Sequence, residues 1–528
     1  MLSIVKSMSL DGIEGGLVEI QTDIANGLPG FEVVGLPDVS VKEAKERVKT
    51  AIRNSNITLP SKKILVNLAP ADKRKEGTIF DLPIAVGILS ALGEINKNRV
   101  EDFNSTVFLG ELSLDGKINR IKGVLPMCME ARNLGIRRVI LPKQNAREAA
   151  LVEGLEVIAV SKLQEVIDYI NGILNINKQV IDIRKIFQNK NSYNIDFSEV
   201  KGQAGAKRAL EIAMAGGHNC ILIGSPGAGK TMLAQRLPTI LPDITFDESL
   251  EITKIYSVAG NIKNVESLLR NRPFRNPHHT TSPISMIGGG RNPKPGEISL
   301  AHLGILYLDE LPEFSRNTLE VLRGPLEDKK VTISRVNSII TYPCNFMFVA
   351  SMNPCPCGYY GTNTDKCTCS EKSIRNYLGK ISGPLLDRID IHIEVKPVPY
   401  KKMGEENREE SSESIRMRVN KARNIQQKRY QNLDLSCNAE LTPNLISRFC
   451  RIDNNARELL KKAFENLSLS ARAYNKILKI SRTIADLEGE EEIKVTHIAE
   501  AIQYRSLDRK YWNRWELLSL MMKNFQRV

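Results

Sequence analysis

Two hydrophobic periods run through this chain, one of two residues and one near 3.6, and their arrangement divides it into blocks. In residues 1–172, "GLVEIQTDI" and "FEVVGL" read as strands. "SVKEAKERVKTAIRN" places Val41, Ala44, Val48 and Ala51 on one helical face and opens with a capping-box pattern, Ser40 to Glu43. "KILVNLA" predicts a further strand, "FDLPIAVGILSALG" a largely buried helix, and "RRVILP" and "LEVIAV" two closing strands. This alternation predicts one α/β domain over 1–172. Residues 173–196, rich in Asn and Lys and without a sustained period, read as a linker. The block 197–396 carries the strongest motifs, and 397–436 is a charged helical connector whose plainest reading is a solvated helix. Helical periodicity returns over 437–528, for instance at Ile477, Ile480 and Ile484.

Composition narrows this picture only slightly. With 528 residues the chain exceeds one ordinary core. A net charge of +13 fits a polyanionic partner without identifying one. The start, "MLSIVKSMSLDGIEGG", turns polar too soon for a secretory signal, and no apolar run approaches the ~18 residues that span a bilayer. The expectation is a cytoplasmic protein with no membrane partner. Of nine cysteines, Cys128, Cys220, Cys344, Cys437 and Cys450 lie in apolar or helical surroundings and are expected to pack as small hydrophobes.

The chemistry begins at "CILIGSPGAGKTMLAQRL", which is a strand, then G-x-x-x-x-G-K-[ST], then a helix. Gly224, Ser225, Pro226, Gly227, Ala228, Gly229, Lys230 and Thr231 fill the motif. Its glycines let backbone N–H groups turn toward a β-phosphate at a helix N-terminus. Lys230 is placed to reach the β- and γ-phosphates of ATP, and Thr231 to ligate Mg²⁺. In "GILYLDELPEF" a buried strand delivers Asp309 and Glu310 to its C-terminal end. Asp309 is the candidate to hold Mg²⁺ through water, and Glu310 to polarise the attacking water.

Three further residues complete the candidate set. "NFMFVASMN" ends in Asn353, which in an ATPase sheet lies between the two phosphate motifs and can orient the water; alone it also fits a turn before Pro354. "GPLLDRIDIHIEV" alternates, with Ile389, Ile391, Ile393 and Val395 expected inward and Asp390, His392 and Glu394 outward. Arg388 precedes that strand, as either a surface ion pair or an arginine finger acting on a neighbouring subunit's ATP. In "LSARAYNKILKISRTIADL", Arg472 opens a helix and is a candidate γ-phosphate sensor on a helical lid.

This order of motifs resembles an AAA+ ATPase. The 79 positions from Lys230 to Asp309 exceed a minimal core, and "PFRNPHHTTSPISMIGGGRNPKPGEISLAHLGILYLDE" resembles the magnesium-chelatase and MCM-like branch with inserted hairpins. With "GPLLDRIDIHIEV" and "SARAYNKILKISRTIADL", the chain is similar to magnesium-chelatase-like ATPases of the YifB/ComM type along essentially its whole length. The resemblance implies a parallel-sheet AAA+ core with a C-terminal helical lid, assembled as a hexameric ring that uses ATP to move DNA. For ComM-type members it implies branch migration during natural transformation. The first block resembles the Lon-protease-like fold (ribosomal S5 domain 2-like) in "RKEGTIFDLPIAVGILSALGE" and "FLGELSLDGKINRIKGVLPMCMEARNLGIRRVILPKQN". There the serine position of a Ser–Lys dyad falls near Ile79 or Phe80 and the lysine position near Leu125. Apolar side chains neither attack a carbonyl nor act as a base, so an inactive domain is expected, as in RadA-type recombination ATPases.

The competing reading is the motor subunit of a metal chelatase, and a protease stands behind both. The Lon-like block and the surplus positive charge favour the DNA motor. His278 and His279 read as loop or interface residues. The tail from Arg505 onward, with Tyr511, Trp512 and Trp515, suits either base stacking or a packed amphipathic helix. Cys355, Cys357, Cys367 and Cys369 form C-x-C-x9-C-x-C, for which structural Zn²⁺, packed thiols and a redox role are the three readings.

Overall fold

The computed structural model describes residues 2–513 apart from 73, 96–102, 184–186, 188–192, 263–267, 291–292, 336–337, 362–365, 399–408, 434, 468–469, 506 and 508. Part of the expected linker, and Trp515 with the rest of the tail, lie outside the described residues. The chain divides into two compact units. The first joins Met1–Lys190 to Phe246–Arg270 and Val336–Tyr342; the second joins Asn191–Thr245, Asn271–Arg335 and Pro343–Val528. Two segments inside the expected 197–396 domain thus group with the first unit.

The first unit is built on a seven-stranded sheet of β1 (Leu2–Asp11), β2 (Glu14–Ala25), β3 (Gly30–Val34), β4 (Lys63–Ala69), β5 (Thr106–Phe108), β6 (Arg138–Pro142) and β7 (Glu156–Val160). Their spatial order is β3-β4-β2-β1-β5-β6-β7. β1 and β2 form an antiparallel hairpin from Leu2↔Asp23 to Asp11↔Glu14. The hydrophobic pattern hides β1, because its Ser3 and Ser7 are buried together with Val5 and Met8, and Ser7 donates to Phe108 O at 3.0 Å.

Helices α1 (Val39–Asn54), α2 (Asp81–Leu92), α3 (Val124–Asn133) and α4 (Leu163–Asn171) accompany that sheet. α1 buries Val41, Ala44, Val48 and Ala51 as expected, but its cap is Asp38, whose carboxylate accepts from Val41 N at 2.8 Å. The Ser40–Glu43 capping box is therefore not formed; an earlier acceptor satisfies the first free N–H groups. α2 is buried along nearly its whole length. Near the start of α3, Leu125 lies fully inside an apolar cluster against which Ile79 packs. Hydrocarbon thus occupies the positions where a Ser–Lys dyad would sit.

The second unit contains α5 (Ala204–Gly216), β8 (Cys220–Gly224), α6 (Lys230–Arg236), β9 (Phe274–Arg275), β10 (Ile305–Leu308), β11 (Met347–Met352), β12 (Ile391–Val395), α7 (Ser412–Arg429), α8 (Ala471–Glu488) and α9 (Val495–Gln503). Its five strands are parallel, in the order β9-β10-β11-β8-β12. β8 and β10 are buried throughout, as strands with both faces covered must be. α7, in the connector read as solvated, buries Ile415, Val419, Ala422 and Gln426, and Arg418 pairs with Glu211 of α5.

The outward positions of β12 are also covered. His392 is 2% exposed and meets the Trp512 ring at 5.7 Å. Asp390 pairs with Lys476 of α8 at 3.2 Å, and Glu394 with Lys510 at 2.6 Å. The alternation is real, but the lid and the C-terminal segment shield its polar face. Tyr511 is 3% exposed, which favours the packed reading of this part of the tail over base stacking. Among the described residues no helix is long and apolar enough to cross a membrane.

Candidate functional site

The parallel sheet ends its strands on one side, and the phosphate motifs collect there. β8 runs into the loop Ser225–Gly229, where Gly227 and Gly229 take φ of +74° and +92°. Side chains strain this backbone region, so these two positions suit glycine. Lys230 opens α6 and folds its ammonium back onto the loop, donating to Gly224 O at 2.8 Å, Ser225 O at 3.0 Å and Asn353 Oδ1 at 3.0 Å. Burial lowers the Lys230 pKa, while Asp309 and Glu310 act the other way. The structure therefore brings Lys230 to the end of β11, where Asn353 stands between the two phosphate motifs.

Thr231 donates from Oγ1 to Asp309 Oδ2 at 3.0 Å. A hydroxyl and a carboxylate on one edge form an all-oxygen donor set of the kind a hard divalent cation takes. The other Asp309 oxygen is held by the Ser351 hydroxyl and accepts from Glu310 N at 3.1 Å. Ser351 also accepts from Glu310 N at 3.3 Å. Behind them Tyr307 is fully buried, and burial raises its phenol pKa. Ser351 was absent from the expected site. Its signal in the sequence was a hydroxyl inside the otherwise apolar strand "MFVASM", two residues before Asn353.

Arg388 and Arg472 lie at the other end of the sheet. Asp390 N donates to Asn219 O at 2.8 Å and Asn219 Nδ2 donates to Arg388 O at 2.9 Å, which ties Arg388 to the strand starts. Its guanidinium, 14% exposed, pairs with Glu327. Arg472, 69% exposed, pairs with Asp387 at 3.0 Å. Neither arginine thus stands beside Lys230 of its own chain, and the helix start places Arg472 next to Arg388. A cleft of about 690 Å³ opens at this end, with Arg388, Glu327, Lys329 and Asp390 among its lining.

The four cysteines after Asn353 converge. Their sulfurs all lie within 4.8 Å of one another, and they are the one such His/Cys/acid group among the described residues. The Cys355–Cys357 separation is 3.3 Å and Cys357–Cys367 is 3.6 Å. The other five thiols are buried, and burial pushes Cys220, Cys344 and Cys450 up to about 12. The His278 and His279 rings lie 4.0 Å apart with their planes tilted by 36°, and His278 Nδ1 is 2.9 Å from Thr280 Oγ1.

A five-stranded parallel sheet with a phosphate loop after its fourth strand, an acidic pair after its second and an asparagine after the strand between them defines a P-loop nucleotide-binding core of the AAA+ type. Comparison with known proteins agrees. Residues 196–403 match the family "Magnesium chelatase, subunit ChlI", 20–145 match "Subunit ChlI of Mg-chelatase", and 409–505 match "Magnesium chelatase, subunit ChlI C-terminal". Competence protein ComM of Haemophilus influenzae is 44% identical over 512 residues, which is 96% of this chain and 98% of that protein. YifB of Escherichia coli is 41% identical over 512 residues, with the same coverage of 96% and 98%. Lon protease 2 of Bacillus subtilis is 29% identical over 188 residues, 32% of this chain and 33% of that protein. At such identity over nearly the full length, the chain belongs to the ComM/YifB group of magnesium-chelatase-like AAA+ ATPases.

Proposed function

We propose that this chain is a cytoplasmic, ATP-hydrolysing hexameric ring motor that drives branch migration of DNA during recombination of incoming strands. The observation that carries the ATPase part is the meeting of Lys230 with Asn353 and of Thr231 with Asp309 at one sheet end. Lys230 exchanges its loop carbonyls for phosphate oxygens, so burial that weakens its hydration strengthens that contact. Thr231 and Asp309 would hold Mg²⁺, which when bound offsets charge on the β- and γ-phosphoryl oxygens. Glu310, exposed beside them, orients the attacking water and takes its proton. Asn353 positions the same water from the neighbouring strand. Arg388 acts as a finger on a neighbouring subunit's ATP, with Arg472 beside it; their place away from their own phosphate loop supports this division. The four thiolates hold Zn²⁺.

The near-full-length identity to a protein named for competence supports DNA as the partner. A second reading, the motor subunit of a metal chelatase, draws on the wording of the three family matches. The ATPase rate, measured with and without single-stranded and forked DNA beside a branch-migration assay, separates them. Stimulation by DNA and movement of the branch point are expected. No stimulation together with no DNA binding at low salt rejects the DNA motor.

A further inference from the structure

We propose that a zinc ion on the four-cysteine loop sets the nucleotide affinity of the phosphate loop, acting through Gly358 packed on Pro226. This rests on the zinc reading above and adds to it a mechanical consequence.

The sulfur geometry comes first. A tetrahedral shell with Zn–S near 2.3 Å separates its sulfurs by about 3.8 Å. Cys355–Cys357, Cys357–Cys367 and Cys355–Cys367 stand at 3.3, 3.6 and 3.9 Å, bracketing that value. A disulfide needs about 2.05 Å, and all nine cysteines are free. Four oxygen-poor, soft donors suit zinc, and four thiolates close its shell against water, so the ion would be structural.

What the loop touches comes second. Gly358 lies between the cysteine pairs at φ +86°, with its N–H donating to Cys355 O at 3.0 Å. A Cβ placed there would stand 2.3 Å from Pro226 Cδ and 2.6 Å from Pro226 Cγ. The loop backbone therefore rests directly on the phosphate loop. Upstream, Cys355 follows Asn353 by two residues, and Asn353 Oδ1 receives Lys230 Nζ. Downstream, a Cβ on Gly361 would stand 3.2 Å from Lys510 Cε, and the Tyr360 and Tyr511 rings are 6.5 Å apart. Lys510 in turn binds Glu394, which lies in register with Ile223, the residue before Gly224. The cysteine loop thus touches the nucleotide site at Pro226, follows directly on Asn353, which holds Lys230, and reaches through Lys510 to the strand beside β8.

Without an ion, ordering this loop costs conformational entropy that little apolar burial offsets, since Cys357, Cys367 and Cys369 are only half-buried. With the ion bound, metal binding energy orders it. A phosphate loop held in its binding shape loses less freedom on taking nucleotide and binds it more tightly.

The test uses the full chain. Zinc content is measured by mass spectrometry, and the affinity for a fluorescent ADP analogue is measured on protein as purified, stripped with a thiol reagent and chelator, and reloaded with Zn²⁺. The expected result is one zinc per chain, ADP affinity weakened about tenfold on stripping, as for other supports of a site, and recovery on reloading. Gly358→Ala is expected to keep its zinc and still lose ADP affinity, because its methyl group displaces the loop from Pro226. Stoichiometric zinc with unchanged ADP affinity after stripping overturns the coupling and leaves the zinc site standing. Protein that binds no zinc overturns both. Should stripping unfold the chain, normal zinc and normal ADP affinity in Gly358→Ala overturn the coupling alone.

Discussion

Glu310 has φ +53° and ψ +51°, a left-handed conformation that costs a residue with a side chain roughly 1–2 kcal/mol. Its N–H is held by Asp309 Oδ1 and Ser351 Oγ, so the strain is maintained by the same atoms that orient the Mg²⁺ candidate. Strain of this sort concentrates where a side chain must be aimed. Glu310→Gln keeps the length and polarity of the side chain but removes the carboxylate proposed as the base. Phosphate release from this variant is expected to fall by about 100-fold or more, with nucleotide binding retained in a titration; turnover at the normal rate rejects the role given to Glu310. At this scale the sequence was legible wherever a motif is contiguous: Gly224 to Thr231, Asp309 and Glu310. Ser351, Glu327 and Asp387 carry no such contiguous signal, because each pairs with a residue far away in sequence.

At the scale of elements, α8 is wired into the start of β12 by buried polar groups. His218 Nδ1 faces Asp390 at 3.4 Å, and its Nε2 lies 2.8 Å from Thr483 Oγ1. Asn438 donates to both Thr483 at 3.0 Å and Asp486 at 2.9 Å. Arg429 and Arg482 hold Asp486 from two further directions. Burial lowers the His218 pKa, and Lys479 and Arg423 push the same way, against Asp390. The unfolded chain, where a histidine titrates near 6.5, then binds more protons than the native one as pH falls. Stability is therefore present above about pH 6.5 and is lost progressively below it. Thermal unfolding of the wild-type chain is expected to shift downward by a few degrees from pH 7.5 to 5.5, and His218→Gln to flatten that dependence. An equally steep slope in the variant would reject the assignment to His218. The periodicity of α8 showed its apolar face, Ile477, Ile480 and Ile484, but Thr483 and Asp486 are buried with it. A buried polar face is indistinguishable from a solvated one until its partners are known.

At the scale of the whole molecule, Arg388 stands at the sheet end opposite its own Lys230, so the finger role proposed for it requires a second copy of the chain. This makes a prediction that a single-chain enzyme would not meet. Arg388→Ala and Lys230→Ala are each expected to be inactive alone. Mixing them is expected to restore measurable ATPase, because an intact phosphate loop on one subunit can meet an intact Arg388 on the next. A mixture as inactive as its parts rejects action between subunits. On that proposal the Arg388–Glu327 pair must open, and the exposure of Glu327 makes that exchange cheaper than for a fully enclosed pair.

By itself the sequence determined what neighbouring residues build: α1 with its buried stripe, the strands that carry Asp309 and Asn353, the phosphate loop, and the spacing of the four cysteines. These follow from local propensity and from a period that reports which face is apolar. The tertiary structure alone decided which polar residues are covered, as for His392 beneath Trp512 and the buried stripe of α7. It also decided that Phe246–Arg270 and Val336–Tyr342 group with the first unit, and that Gly358 rests on Pro226. Such contacts join segments tens to hundreds of residues apart. They depend on shape and on who else is near, and a one-dimensional pattern of apolar and polar positions carries neither.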